Sequence, residues 1–201
     1  MSDVLNRNLS LVKEQPGLLK LAYSCDILDP ETGQVIMECR EVNLRRRTRV
    51  LRFSNLLRGA TPFDVRVQTP DGQPVVRLTR GVPIVTSKVK VYDQDNRLIG
   101  GFKQRMLSLA GALDVLAANG EVVCQVAGRL AGWRKFYFIT PEGVELASVS
   151  KKWAGLGKEF FTNADDYMLK IDDVVPNDSA TRRLILASVI CIGMIFKVEI
   201  P

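Results

Sequence analysis

The chain has 201 residues, of which 46% are hydrophobic and 25% are charged. This length and composition fit one globular domain with a sizeable core, and they exclude a mostly disordered or collagen-like chain. The formal net charge is +6, and the sequence contains no histidine. Without histidine the commonest general base, the Ser-His-Asp triad and most zinc sites are excluded. Since no cofactor motif takes their place, we expect a protein that is not an enzyme.

The N-terminal segment lacks the apolar core of a signal peptide. We therefore assign residues 1–18 to a short N-terminal lead and residues 19–201 to a single domain. The four cysteines are far apart in the sequence, so the spacing typical of zinc ribbons or thioredoxins is absent. A reducing, cytoplasmic compartment is the simpler inference for such a set of cysteines.

Positive charge is concentrated between residues 40 and 58, where seven arginines accompany one acid, Glu41. A cluster of this kind attracts polyanions, either phospholipid headgroups or nucleic acid. The alternative is a solvated strand face without a binding role. The local composition leaves both interpretations open.

Residues that favour tight turns recur along the middle of the chain. Four turns end at Gly72, Asn96, Gly120 and Gly143, at intervals of 24, 24 and 23 residues, and glycine or asparagine accepts the positive φ that tight turns need. Apolar and polar residues alternate beside the turns, as in PFDVRV at 62–67. The pattern predicts repeated β-hairpins, with about twelve strands between residues 19 and 171. Closure into an antiparallel β-barrel would leave these strands without exposed edges.

One helix is predicted near the C-terminus. Three N-cap residues, 177–179, precede it, and the thirteen residues from Leu184 to Phe196 carry no charge. A bilayer requires about 20 apolar residues, whereas thirteen helical residues span only ~20 Å, about the height of a barrel. We therefore expect the helix to run through the centre of the barrel. The predicted core residues of this helix are Leu184, Ile185, Leu186, Val189, Ile190, Ile192, Ile195 and Phe196.

The segment ASVSKKWAGLGKEFFTNADDYMLKID, residues 147–172, together with the apolar helix resembles the C-terminal part of phospholipid scramblases and LURP-one-related proteins. The resemblance extends over roughly residues 20–197, and its most specific block is Ser150-Lys151-Lys152-Trp153 followed by Phe161-Thr162. It implies a tubby-like fold, in which a twelve-stranded barrel surrounds a hydrophobic helix. It also implies a role at membranes, either lipid movement between leaflets or phosphoinositide binding.

The resemblance also suggests a calcium site. The family pattern begins Asp-x-Asp-Asn, and the matching positions here are Asn163, Ala164, Asp165 and Asp166. One carboxylate is lost, although calcium takes six to eight oxygen ligands, and a strand-like pattern over 165–170 would separate alternate side chains. Asn163, Asp165 and Asp166 are thus a weak calcium candidate, and no other cofactor is implied.

Two functional hypotheses follow. In the first, a scramblase-family protein associates peripherally with the cytoplasmic membrane surface and binds anionic phospholipids or phosphoinositides; translocation of lipid between leaflets is a separate question. In the alternative, the barrel is a soluble, non-catalytic binding or regulatory module for a protein or nucleic acid. The candidate headgroup-binding residues of the first hypothesis are Arg45, Arg46, Arg47, Arg49, Arg52, Lys151, Lys152 and Lys158.

Overall fold

The computed structural model describes residues 3–15, 22–42, 61–81, 88–104, 113–128, 135–150 and 166–195. Within these ranges, a short 3-10 helix at Asp3–Asn6 is followed by twelve β-strands and one α-helix. The strands are β1 (Leu9–Glu14), β2 (Ser24–Leu28), β3 (Val35–Glu41), β4 (Phe63–Gln68), β5 (Pro74–Arg80), β6 (Lys88–Tyr92), β7 (Leu98–Gln104), β8 (Leu113–Ala117), β9 (Val122–Gly128), β10 (Lys135–Ile139), β11 (Glu145–Ser150) and β12 (Tyr167–Ile171). The helix α1 spans Ala180–Ile195.

Each strand pairs antiparallel with the next along the chain, and β12 pairs with β1, so that the sheet closes into a barrel. This confirms the predicted closed antiparallel β-barrel of twelve strands. The closing strand, Leu9–Glu14, lies within residues 1–18, which the sequence analysis assigned to a lead outside the domain. The alternation of apolar and polar residues in this strand is short and is flanked by polar residues. Only the pairing of the strand with β12 and β2 reveals that it closes the barrel.

The repeated turns share one geometry. In the turn between β4 and β5, the N–H of Gly72 donates to the carbonyl of Thr69, and the N–H of Thr69 donates to the carbonyl of Gln73, both at 2.9 Å. The same two bonds recur in the other three repeated turns, at Asp93–Arg97, Ala117–Glu121 and Thr140–Val144. The fourth residue of each turn has a positive φ, 88° at Gly72, 60° at Asn96, 88° at Gly120 and 91° at Gly143. Glycine and asparagine are therefore required by the backbone conformation at these places.

Because consecutive strands run in opposite directions, the connections alternate between the two ends of the barrel. We call one end the turn end; it carries the hairpin turns 29–34, 69–73, 93–97, 118–121 and 140–144, and the segment 172–179 before α1. We call the other the loop end; it is marked by the C-terminal residues of β1, β3, β5, β7, β9 and β11, which are Glu14, Glu41, Arg80, Gln104, Gly128 and Ser150.

The helix α1 begins at the turn end and runs towards the loop end inside the barrel. Every residue from Arg182 to Ile192 is buried, and a helix buried on all faces must be enclosed. The helix approaches β5, β7, β8 and β12. Of the predicted core residues, the side chain of Ile195 and all of Phe196 lie outside the described part. The others are buried, namely Leu184, Ile185, Leu186, Val189, Ile190 and Ile192.

The first turn of α1 is capped as the sequence predicts. The hydroxyl oxygen of Ser179 accepts a hydrogen bond from the backbone N–H of Arg182 at 3.2 Å, which satisfies one of the free donors at the helix start. The side chain of Arg182 is buried although it is charged. A buried charge needs hydrogen-bond partners, and these partners come from the residues that surround the turn end.

Candidate functional site

Three exposed lysines lie together on the outer face of β6 and β7, towards the loop end. Val89, Val91 and Phe102 point into the barrel and are buried, so Lys88, Lys90 and Lys103 point outwards. The register between β6 and β7 places Lys88 directly opposite Lys103. Like charges in directly opposed positions destabilise a sheet, and a bound anion would relieve this repulsion.

One acid adjoins this lysine triad. Asp114 of β8 is the register partner of Lys103 on its other side, and it is half-buried. No ion pair joins the two side chains within the described ranges. The triad therefore keeps a net positive charge on the outer surface.

A row of three arginines crosses β3, β4 and β5 beside the lysine triad. Arg66 is the direct register partner of Arg40 on one side and of Arg77 on the other. Arg40 lies 2.7 Å from the Asp26 carboxylate, and Arg77 donates to both carboxylate oxygens of Asp64 at 2.9 and 2.8 Å. These hydrogen bonds from Arg77 to Asp64 raise the pKa of the guanidinium. Among the described residues, the exposed Arg66 has no ion-pair partner and is the cation in this row that an anion can reach most readily.

A further exposed lysine marks the loop end on another side of the barrel. Lys135 is the first residue of β10, and its ammonium group lies 4.7 Å from the centre of the Tyr137 ring. A cation over an aromatic face is attracted by the ring electrons, which holds the charge near the end of the strand. Positive charge is therefore present at several positions around the loop end.

The headgroup-binding residues predicted from the sequence lie outside the described residues. They are Arg45, Arg46, Arg47, Arg49 and Arg52 in 43–60, and Lys151, Lys152 and Lys158 in 151–165. The strands that flank these two segments are described, and β3 ends, β4 begins, β11 ends and β12 begins at the loop end. Both basic segments thus connect strands at the end of the barrel that carries the lysine triad.

The sequence analysis missed the lysine triad itself. Alternation shows that Lys88 and Lys90 share a face of one strand, which is ordinary for a solvated sheet surface. The position of Lys103 opposite Lys88 depends on the register between β6 and β7. This register is set by the hairpin and its bulge between Val91 and Tyr92, and it cannot be read from composition.

Neither a metal cluster nor a helix that could cross a membrane is found in the part of the chain that the structure describes. Asn163 and Asp165 of the calcium candidate lie outside that part, and Asp166 is buried, with 1% of its surface exposed. No group of three or more His, Cys, Asp or Glu residues is placed there to hold a metal ion. No helix there is long and apolar enough to span a membrane.

The interior of the barrel offers no route for a polar headgroup in its described part. Buried side chains of the strands and α1 form one apolar cluster. At the loop end, the buried Arg80 donates to the carbonyl of Thr61 at 3.1 Å and lies 4.8 Å from the centre of the Phe63 ring. Because the helix fills the interior, contacts with a charged ligand must be made on the outside.

The fold is thus a twelve-stranded antiparallel barrel that encloses a single helix and carries a basic outer face. Comparison with known protein families matches residues 26–197 to the family described as Scramblase. This span covers nearly the whole barrel and its helix, and the chain belongs to the Scramblase family. Comparisons with curated proteins and with solved structures find no match.

Proposed function

We propose that this Scramblase-family protein binds anionic phospholipid headgroups, phosphoinositides included, as a peripheral protein at a cytoplasmic membrane surface. The observation that carries the proposal is the direct pairing of Lys88 with Lys103, next to Lys90 on the same exposed face. Lysines held this close repel each other, and the phosphates of a lipid surface would neutralise them.

The strength of such binding follows from the number of cations that reach the surface. Each lysine or arginine near an anionic bilayer contributes ~1 kcal/mol, so the lysine triad would contribute ~3 kcal/mol, or about a hundredfold in affinity. The predicted arginines and lysines of segments 43–60 and 151–165 would add to this, because the flanking strands end at the same end of the barrel. We propose that the calcium candidate has no part in this binding, since Asp166 is buried.

The family also suggests an activity more specific than headgroup binding, the translocation of lipid between leaflets. Because α1 fills the barrel, we propose that any lipid moved by the protein passes along its outer surface and the adjoining bilayer. Loss of fluorescence from labelled lipid on addition of dithionite to reconstituted vesicles measures this activity. Protein that binds vesicles but leaves the protected inner-leaflet fraction unchanged would limit the function to headgroup binding.

Vesicle flotation tests the binding proposal. We expect the protein to float with vesicles that contain phosphatidylserine and to remain in the dense fraction with neutral phosphatidylcholine vesicles. The double variant Lys88→Gln/Lys103→Gln should bind about 30-fold more weakly, since two headgroup contacts of ~1 kcal/mol each are lost. The matched control, Arg97→Gln/Lys170→Gln, removes two exposed positive charges at the turn end, and we expect it to bind within twofold of the wild type.

Two results would contradict the proposal. Equal recovery with neutral and anionic vesicles would show that headgroup charge is not recognised. Equal losses in the two double variants would show that only net charge counts and that the lysine triad is not a site. Binding to duplex DNA with a steep salt dependence, without binding to vesicles, would instead favour a nucleic-acid module.

A further inference from the structure

Exposed charge is divided between the two ends of the barrel. Each connection at the turn end contributes an exposed acid, and together these form what we call the acidic ring: Glu31, Asp71, Asp95, Glu121, Glu142 and Asp173. The exposed basic residues at the turn end are fewer, and Arg7 and Arg97 among them lie beside acids. The described turn end is therefore negatively charged.

The opposite half of the barrel has the opposite charge. Among the described residues away from the turn end, the fully exposed charged side chains are all basic: Lys88, Lys103 and Lys135 near the loop end, and Arg66 and Lys90 near the middle of their strands. The acids on this half are half-buried or buried, and Asp64 is held by Arg77. The protein therefore carries a charge separation that runs along the barrel axis.

Turn geometry does not account for the whole acidic ring. Carboxylates that stabilise the turns accept backbone N–H groups, as Asp93 does from Asp95 at 3.0 Å and from Arg97 at 2.8 Å. The carboxylates of Glu31 and Glu142, in contrast, accept no hydrogen bond from any described residue. Their negative charge is available to act on a charged surface.

We propose that the protein docks end-on, with its loop end on the anionic bilayer and its acidic ring in the aqueous phase. This inference rests on the proposed function and adds an orientation to it. A strand of six or seven residues is ~20 Å long, about twice the Debye length of ~10 Å at 0.1 M salt. The surface potential therefore acts mainly on the nearer end, attracts the lysines and repels the acidic ring.

The cysteines of the chain allow a site-specific test. All four are buried, and burial raises the pKa of the Cys124 and Cys191 thiols to about 12. A thiol of this kind reacts slowly because the thiolate is the nucleophile, so a new exposed cysteine can be labelled selectively. Ala118 lies in the turn that precedes β9, Ala127 lies near the loop-end terminus of β9, and both are exposed. The strand from Val122 to Ala127 separates the two ends by about 17 Å.

The experiment compares Ala118→Cys with Ala127→Cys, each carrying the same fluorophore, on phosphatidylserine vesicles that contain a lipid with a headgroup quencher. The two substitutions are identical and leave the charge unchanged. We expect the label at residue 127 to be quenched several-fold more than the label at residue 118. Removal of two charges of the acidic ring by Glu31→Gln/Glu142→Gln should reduce the difference in quenching between the two labels without weakening flotation.

The outcomes separate the orientation from the proposed function. Flotation with equal quenching of the two labels, or stronger quenching at residue 118, would overturn the end-on orientation and leave headgroup binding in place. If the difference in quenching between the two labels is unchanged in the Glu31→Gln/Glu142→Gln variant, the role given to the acidic ring is overturned. Absence of flotation with anionic vesicles would overturn the proposed function and the orientation together.

Discussion

The Nη1 atom of Arg182 lies 2.9 Å from the carbonyl oxygen of Arg7 and ties the first turn of α1 to the residues that precede β1. Arg182 is 1% exposed, and burial lowers the pKa of its guanidinium, while nearby Asp173 acts in the opposite direction. Its hydrogen-bond acceptors among the described residues are all neutral oxygens. Besides Arg7, they are the carbonyls of Leu5 and Val175 and the side-chain oxygen of Asn8.

The first prediction is that Arg182→Lys destabilises the protein although it keeps the charge. A compact ammonium group cannot reach the acceptors that the planar guanidinium spans, so buried carbonyls lose their donors. We expect a loss of roughly 2–4 kcal/mol in the free energy of unfolding, measured from urea unfolding curves. The control, Arg97→Lys, is exposed at the turn end and should unfold like the wild type. Equal midpoints for both variants would show that the buried hydrogen bonds do not stabilise the fold.

The second prediction concerns the centre of the helix. Ile190 is fully buried within the barrel, and a carboxylate there would have no partner in an apolar cluster. We expect Ile190→Asp to unfold the whole domain, whereas Ile190→Val should cost only about 0.5–1.5 kcal/mol. Circular dichroism and size-exclusion chromatography without detergent measure the outcome. A soluble, folded Ile190→Asp protein would contradict the enclosure of α1.

Local chemistry made the turns and the helix predictable from the sequence. Gly72 and Asn96 adopt a positive φ in the repeated turns, and glycine and asparagine are the residue types that accept this conformation most easily. The uncharged run from Leu184 likewise fixes a helix that has to be enclosed. Both features are encoded within a few residues, and together with the alternating apolar and polar runs they led to the prediction of a closed barrel around a helix.

Long-range pairing was not predictable in the same way. The strand β1 has only six residues, and its contribution comes from closing the sheet between β12 and β2. The opposition of Lys88 and Lys103 and the burial of Arg182 also depend on residues distant in the chain. The predicted headgroup-binding residues lie outside the described residues and stay a prediction, whereas the lysine triad required the strand register.

The third prediction tests the close contact between β7 and its neighbours. A Cβ atom at Gly100 would collide with the carbonyl oxygen of Leu116 on β8 and lie 3.1 Å from the Cδ2 atom of Leu184 on α1. We expect Gly100→Ala to lower the free energy of unfolding by roughly 1–3 kcal/mol. In the matched control Gly81→Ala, the new methyl group meets open space and should change stability by no more than about 0.5 kcal/mol. Similar losses in the two variants would argue against this tight contact.

The fourth prediction is a dependence of stability on pH that arises at the turn end. The carboxylate of Asp29 accepts the backbone N–H groups of Glu31 at 2.8 Å and Thr32 at 3.3 Å and pairs with Arg7. These contacts, the bond from Glu31 first among them, lower the pKa of Asp29. A carboxyl group whose pKa is lower in the folded state stabilises the protein fully above its unfolded pKa of about 3.9, and this contribution is lost as the pH falls through the folded pKa.

We therefore expect the wild type to be more stable than Asp29→Asn near neutral pH, and the difference to shrink as the pH falls below about 4. Urea unfolding midpoints of the two proteins between neutral and acidic pH measure this difference. Asp71→Asn serves as a control, because Asp71 is exposed in a neighbouring turn at the same end of the barrel. Parallel curves for the wild type and Asp29→Asn would show that the Asp29 contacts do not lower its pKa, whereas convergence in acid would assign part of the acid sensitivity to this one carboxylate.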